Sequence, residues 1–452
     1  MSRKITHIAG SFLIRAHGSF LNGGGLGQGE DRNVAVPKTF QDGHGNRIPY
    51  VSAQAWRRWL RNTLIEETGW PASELRALDL SEKGTTNKIA GELNPVEFAE
   101  DDLFGYMRAA KGQGRIAEGD DDATDDGPES GRDSRFFSRT LSAIKKIGVK
   151  ASAKQAETSS AKYRDVVIEM LKEAKERVAL DEFDPSIVAE FERLLERLSS
   201  DSSPSIAEAA KEVSRLVQHF NPGRVKALIR SSPFASSLLV SIRRKGWQGA
   251  DEGFVHLKQG TPLPYTTEFY NADLQAVFSL DFGRLGTFWN LGDRIELDEQ
   301  LAEKFLRASR IRISRDEGKT GRVYELTDQS IRITRARALL SSLAVLRGGA
   351  KQAAFGTDVS PKILILAGLT CGNPVFNQLF SDEDGAPRLK IETLQEIIAD
   401  YESRIVTPVF VGIRKGYLRN EDQLREISKT PGSRIIVTTP IDAATQMGTQ
   451  LV

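Results

Sequence analysis

The chain has 452 residues and 27% charged side chains, and its 62 Lys and Arg against 61 Asp and Glu leave a net charge of +1. No global basic field exists, so any nucleic acid must be held by a local stripe of cations. A single cysteine, Cys371, excludes an internal disulfide and a multi-cysteine metal site. The five histidines show no ligand spacing, so no metal and no cofactor is expected. No apolar run is long enough to span a bilayer, and the opening MSRKITHIAGSFLIRAHGSF turns polar too soon for a secretory signal, which makes a cytoplasmic protein without a membrane partner the expectation.

Residues 4–15, KITHIAGSFLIR, alternate and are β-branched, which predicts a strand. A glycine-dense polar segment follows. It is long for a structureless loop, a length that marks functional or disordered segments, and its NVAVPKTF predicts a hairpin arm. Ser52 then caps a helix whose Ala53, Trp56, Leu60 and Leu64 form one apolar face. Off that face stand Arg57, Arg58 and Arg61, with no acid three or four positions from any of them. Such like charges repel unless an anion from elsewhere completes them; the plain alternative is a solvated face.

Residues 70–115 mix short helices and loops. The run AEGDDDATDDGPESGRD cannot bury its charges together and predicts a disordered acidic loop at 116–135. A carboxylate metal site is the sharper alternative, without the spacing of a calcium-binding loop. Residues 155–224 predict a helical insertion, with Asp184-Pro185 and Ser203-Pro204 as N-cap and first-turn pairs. From residue 232 short β-rich runs follow, then a helix at 297–308, a hairpin at GKTGRVYEL, a long helix from Ser330, a glycine-bearing loop and a buried strand around KILILAGL.

That order predicts an α+β fold: a heavily elaborated split βαβ palm of ferredoxin or RNA-recognition type. The palm takes residues 1–115 and 225–370, the insertion interrupts it, and 371–452 forms a C-terminal extension packing on it. The aromatic RNA-reading strand motif of RNA-recognition modules is not visible, so RNA contacts are expected from loops and helices. Two glycine-bearing stretches offer donors. LRGGAKQAAFG places Gly348 and Gly349, which let the backbone turn sharply, before Lys351 and Gln352, and the helix before it adds Arg335, Arg337 and Arg347. The earlier segment offers His17, Asn22, Gly24, Lys38 and Gln41. The bland readings are a helix stop at Gly348 and a flexible loop. The phosphate-loop pattern GxxxxGK[ST] is absent.

The succession GSFLIRAHGSFLNGGG, VPKTF, PYVSAQAWRRWLRNTL, DLFGYM, RFFSRT, PLPYTTEFYNADLQAVFSLDFGRLGTFW and GGAKQAAFGTDVSPKILI resembles the backbone subunit of CRISPR type I effector complexes (Cascade). It is most similar to the DevR-type autoregulator branch of the RAMP superfamily, subtype I-B-like. The blocks lie between residues 5 and 367; the insertion, the acidic run and the tail match no motif. The resemblance implies an antiviral protein that performs no chemistry. Copies would polymerise head to tail along crRNA into a helical filament, with a palm, helical fingers and a thumb loop. Base pairing would read the target DNA strand, while the protein holds backbone and shape beside other effector-complex subunits. Carried over by position, the loop with Gly348, Gly349, Lys351 and Gln352 and the helix with Gln54, Arg57, Arg58 and Arg61 would be the RNA-binding contacts to the guide backbone. The glycine-rich segment would be a finger or web near guide and target, with His17, Asn22, Gly24 and Lys38 as its RNA-binding candidates, among which the motif does not choose.

Two alternatives stand beside this. Backbone subunits of type III effectors resemble the layout and cut target RNA with an acid in the loop after the first strand, where Glu30 and Asp31 lie. A DNA-binding autoregulator is the other, though no helix-turn-helix recognition helix stands out.

Overall fold

The computed structural model describes residues 4–26, 33–73, 76–80, 86–90, 92–108, 168, 192–193, 196–197, 227–245, 248–255, 263–292 and 294–452. The chain divides into two units, one of residues 1–76, 90–108 and 227–452 and the other of 77–89 and 109–226. The described parts of the second are residues 77–80 and 86–89, which belong to two paired strands, and the helical residues Ile168, Glu192, Arg193, Glu196 and Arg197. The acidic run, RFFSRT, Glu30, Asp31 and nearly all of the 155–224 insertion lie outside the described residues.

The first unit is built on six strands: β1 (His7–Ser19), β2 (Leu239–Ser241), β3 (Leu263–Asp281), β4 (Ile363–Leu369), β5 (Val409–Ile413) and β6 (Ile435–Thr438). Their spatial order is β6-β5-β4-β1-β3-β2. β1 runs antiparallel to both β3 and β4, and β2 is antiparallel to β3. A helix, α1 (Ala53–Thr68), lies between β1 and β2 in sequence, and α3 (Ser330–Ala344) between β3 and β4. The four central strands therefore have the 4-1-3-2 order of a split βαβ fold, the expected α+β palm. The C-terminal residues widen the sheet: β5 pairs antiparallel with β4, and β6 parallel with β5.

Successive side chains of a strand point to opposite faces, and the cores follow that rule. Ile8, Phe12, Ile14 and Ala16 of β1 join Leu364 and Leu366 of β4 under α1, α3 and the last helix, α6 (Pro440–Thr449). Ala9 and Leu13 join Ile363, Ile365 and Ala367 on the opposite face, beneath α4 (Ile391–Asp400) and α5 (Glu421–Lys429). All seven residues of β4 are buried for this reason. The face an RNA-recognition module leaves open is here covered, over this stretch, by residues 376–437.

The α1 helix forms as its sequence dictates. Ser52 Oγ accepts from the Ala55 N–H at 3.3 Å, and Gly69, at φ 64°, ends the helix with its N–H on the Ile65 carbonyl. Trp56, Leu60 and Leu64 are buried against the sheet, each worth about 2 kcal/mol when removed from water, and Trp56 meets Phe12 edge-on at 5.3 Å. A second, six-stranded sheet contains Thr287–Leu291, Gly321–Leu326 and Leu228–Arg230, and its core includes Phe288, Phe305 and Leu326. No described helix is long and apolar enough to cross a membrane.

Candidate nucleic-acid interface

The arginines of α1 do not form the free cluster expected of them. Arg61 Nε lies 3.1 Å from Glu100 on α2 (Ala99–Phe104), and that carboxylate is 5% exposed. Arg57 Nη2 donates to the Phe104 carbonyl and to Ser232 Oγ, both at 2.9 Å. Burial, with the Arg61 charge second, lowers the Arg57 pKa. Both guanidiniums also stand over the Phe104 ring, at 5.9 and 5.3 Å. The anion that the helix lacks is thus internal to the chain for Arg61. Arg58 alone is exposed and makes no ion pair with a described residue, and Gln54, one turn before it, is exposed too.

The arginines of α3, and Arg347 just beyond its end, are corrected the same way. Arg335 is buried, with Nη1 2.7 Å from Asp102 and its other donors on the Pro95 and Val96 carbonyls. Arg337 donates to the carbonyls of Gly448 and Leu451. Arg347 pairs with Glu66 at 3.1 Å and Glu67 at 2.7 Å. The DLFGYM block acquires a structural role here. Asp102 receives Arg335, Arg230 and the Gly286 N–H, and Arg230 also reaches Glu296, which binds Arg284 and Arg294 in turn. Tyr106 closes the junction by donating to the Glu296 carbonyl; burial is the main cause of its strongly raised pKa.

The glycine-bearing stretches meet beside the exit of β1. A Cβ on Gly348, at φ +150°, would stand 2.2 Å from Trp59 Cγ of α1, and one on Gly349, at φ +110°, 2.8 Å from Leu21 Cδ2. Close backbone approach therefore requires both glycines. Ala350 N–H bonds the Leu21 carbonyl at 2.9 Å, and Thr357 Oγ1 lies 2.8 Å from Ser19 Oγ. Gln352 Nε2 donates to the carbonyls of Gly348 and Thr357, so this amide shapes its own loop. Asn22 is likewise engaged: its Oδ1 accepts from Ser52 N–H at 3.0 Å, joining the glycine segment to the start of α1. Gly24 lies in the strand Gly23–Leu26, which pairs with Val34–Pro37 as the expected hairpin arm. Lys38 is half-buried, with no side-chain bond to a described residue. Lys351 is exposed, and its Nζ donates to Thr267 Oγ1 at 2.5 Å.

The same end of the sheet carries a cationic rim that sequence reasoning missed. Arg15 of β1 is registered with Asp273 of β3, and Ile242, following β2, bonds the Asp273 carbonyl, so Arg243, Arg244 and Lys245 emerge there. β5 ends at Ile413 opposite Ile363, whose own register partner on β1 is Leu13, and this brings Arg414 and Lys415 to the same edge. Arg244, Lys245, Arg414 and Lys415 are exposed, and none of these side chains, nor that of half-buried Arg243, bonds a described residue. Arg15 is partly neutralised: its Nε is 3.5 Å from Asp273 and its guanidinium sits 4.5 Å over the Tyr417 ring. Tyr417 donates to Asp273, and burial, then the Asp273 charge, raise its pKa. His17 stands beside Arg15 and Arg243, and its pKa is lowered, chiefly by burial, against the pull of Asp273. The available signal was the repeated strand ending SIRRKG at 241–246 and GIRKG at 412–416, which resembles ordinary turn punctuation.

No family model and no curated protein compared with the chain matches it. Solved structures similar to it include a chain of a "CRISPR RNA-guided surveillance complex, pre-nicking", at 10% identity and a TM-score of 0.41. A second, from a "CRISPR RNA-guided surveillance complex", stands at 10% identity and 0.38. Each comparison covers 99% of this chain and 100% of the other.

Proposed function

We propose that this chain is a non-catalytic, guide-RNA-binding backbone subunit of a type I CRISPR surveillance complex. Copies of it line up head to tail along crRNA, and the assembly recognises double-stranded DNA through the guide. The family resemblance of the sequence blocks suggests this reading, and one structural observation carries it. Three stretches distant in sequence, residues 19–25, α1 and 348–357, are locked together at the exit of β1, where the rim Arg243–Lys245 and Arg414–Lys415 also emerges.

An RNA backbone needs such a set of cations and amide donors without base-specific contacts. Each copy contributes only a few charges, and many copies sum along one strand, which lets a nearly neutral chain hold RNA firmly with steep salt dependence. Unlike surfaces meeting head to tail give an open filament instead of a closed ring. The partners are crRNA, further copies of the chain, other effector subunits and, through the guide, the target DNA strand.

The test is co-expression with sister subunits and a guide array, followed by extraction of nucleic acid from the purified protein. A uniform small RNA that stays intact, with complementary RNA uncut in magnesium, is the expected result. Protein free of RNA in low salt overturns the binding claim, and regular cleavage of complementary RNA overturns the non-catalytic one.

A further inference from the structure

One lysine of the 348–357 loop sits in a conformation that its backbone disfavours. Lys351 has φ +52° and ψ 35°, in the left-handed region, where a side chain crowds the following carbonyl and glycine does not. Its ammonium reaches across to β3, donating to Thr267 Oγ1 at 2.5 Å, and lies 5.2 Å from the Phe20 ring centre and 5.8 Å from that of Tyr265. An ammonium has three donors, and Lys351 is exposed, so two remain for a ligand.

Tyr265 is prepared in a complementary way. It lies in register opposite Gly253 of the neighbouring strand Gln248–Val255, and a Cβ there would stand 2.6 Å from Tyr265 Cζ. One side of the phenol ring therefore packs on bare backbone, while the residue stays 41% exposed. An exposed aromatic face beside a half-used ammonium suits one nucleotide: a base stacks on the ring, and an anionic oxygen takes the remaining donors.

We infer that Tyr265 and Lys351 clamp one nucleotide of single-stranded RNA, the base on the open face of Tyr265 and its phosphate on the Lys351 ammonium. The clamp rests on the RNA-binding reading above and adds a stacking platform to it. Stacking is indifferent to base identity, so the clamp fixes the strand's register and leaves sequence unread.

The full chain is titrated into a fluorescein-labelled, unstructured single-stranded RNA and followed by anisotropy at several salt concentrations. Tyr265→Leu binds about tenfold more weakly and Tyr265→Phe within about twofold of the wild type. Lys351→Gly binds about fivefold more weakly with a salt slope lower by about 0.7. Its melting temperature stays within a few degrees of the wild type, because glycine takes the left-handed conformation freely and offsets the lost bond to Thr267. Wild-type affinity in both Tyr265→Leu and Lys351→Gly overturns the clamp and leaves the proposed function standing. So does a large fall in the Lys351→Gly melting temperature with an unchanged salt slope, which makes the lysine a structural strut. A wild-type chain that binds no RNA removes the proposed function and the clamp together.

Discussion

Replacing Arg61 by Ala and Arg58 by Ala separates two roles that one helix turn brings together. Arg61 holds Glu100, whose carboxylate is 5% exposed, at 3.1 Å, and its guanidinium stands 5.3 Å from the centre of the Phe104 ring. Removing one partner of a buried ion pair costs about 3–5 kcal/mol. Arg61 retains 24% exposure and the Ser73 N–H still bonds Glu100, which takes the ion-pair loss to the lower end; the lost ring contact adds about 0.5–1 kcal/mol. A loss of about 3.5–4 kcal/mol in Arg61→Ala follows, read in urea unfolding by tryptophan fluorescence as a midpoint lower by about 1 M. Arg58 has no described partner, so Arg58→Ala changes stability by less than about 0.5 kcal/mol. Its effect falls on RNA: affinity drops and the salt slope decreases by about 0.7, one phosphate contact on a single strand. Equal urea midpoints for the two variants, or an unchanged salt slope in Arg58→Ala, refutes this division of the arginines.

Further outcomes follow from the same contacts. Asp102→Asn leaves Arg230 and Arg335 facing a neutral amide in a buried site, and calorimetry should show a stability loss of about 3–5 kcal/mol. Gly348→Ala drives a methyl into Trp59 from a positive-φ backbone; it should cost about 3 kcal/mol and alter the near-ultraviolet signal of the tryptophans. His17 has a depressed pKa in the folded chain, so the unfolded chain takes up a proton that the folded chain refuses. Stability from neutral His17 is present above about pH 6.5 and is lost as the pH falls. The opposite trend holds for RNA, since protonated His17 adds a cation beside Arg15 and Arg243. Affinity rises from pH 7.5 to about pH 5.5, and His17→Gln, followed by anisotropy, should remove most of that rise.

The palm was legible where periodicity is local. Ser52 before Trp56, Leu60 and Leu64 announces α1, and the unbroken ILILAGL announces a strand buried on both faces. The fate of the arginines was not legible, because their acceptors come from elements remote in sequence: Glu100 and the Phe104 carbonyl from α2, Asp102 for Arg335, and the last turn of α6 for Arg337. A charge without a partner three or four residues away reads as free, and only tertiary packing shows otherwise. The rim failed for the converse reason. Arg243–Lys245 and Arg414–Lys415 are separated by about 170 residues along the chain, and the register of β1, β3, β4 and β5 alone brings them to one sheet edge. The tail beyond residue 371 carried no motif, yet its strands widen the sheet and its helices cover the face through which RNA-recognition modules bind.

The central claim is that RNA length sets the number of copies assembled. Mass photometry of the full chain, mixed in low salt with single-stranded guide RNAs of increasing length, tests this most directly. The account predicts masses that climb in steps of one protomer plus its share of RNA, collapsing to single protomers at high salt. A single copy bound at every RNA length, or protomers that stay solitary and RNA-free in low salt although guide RNA is present, contradicts it.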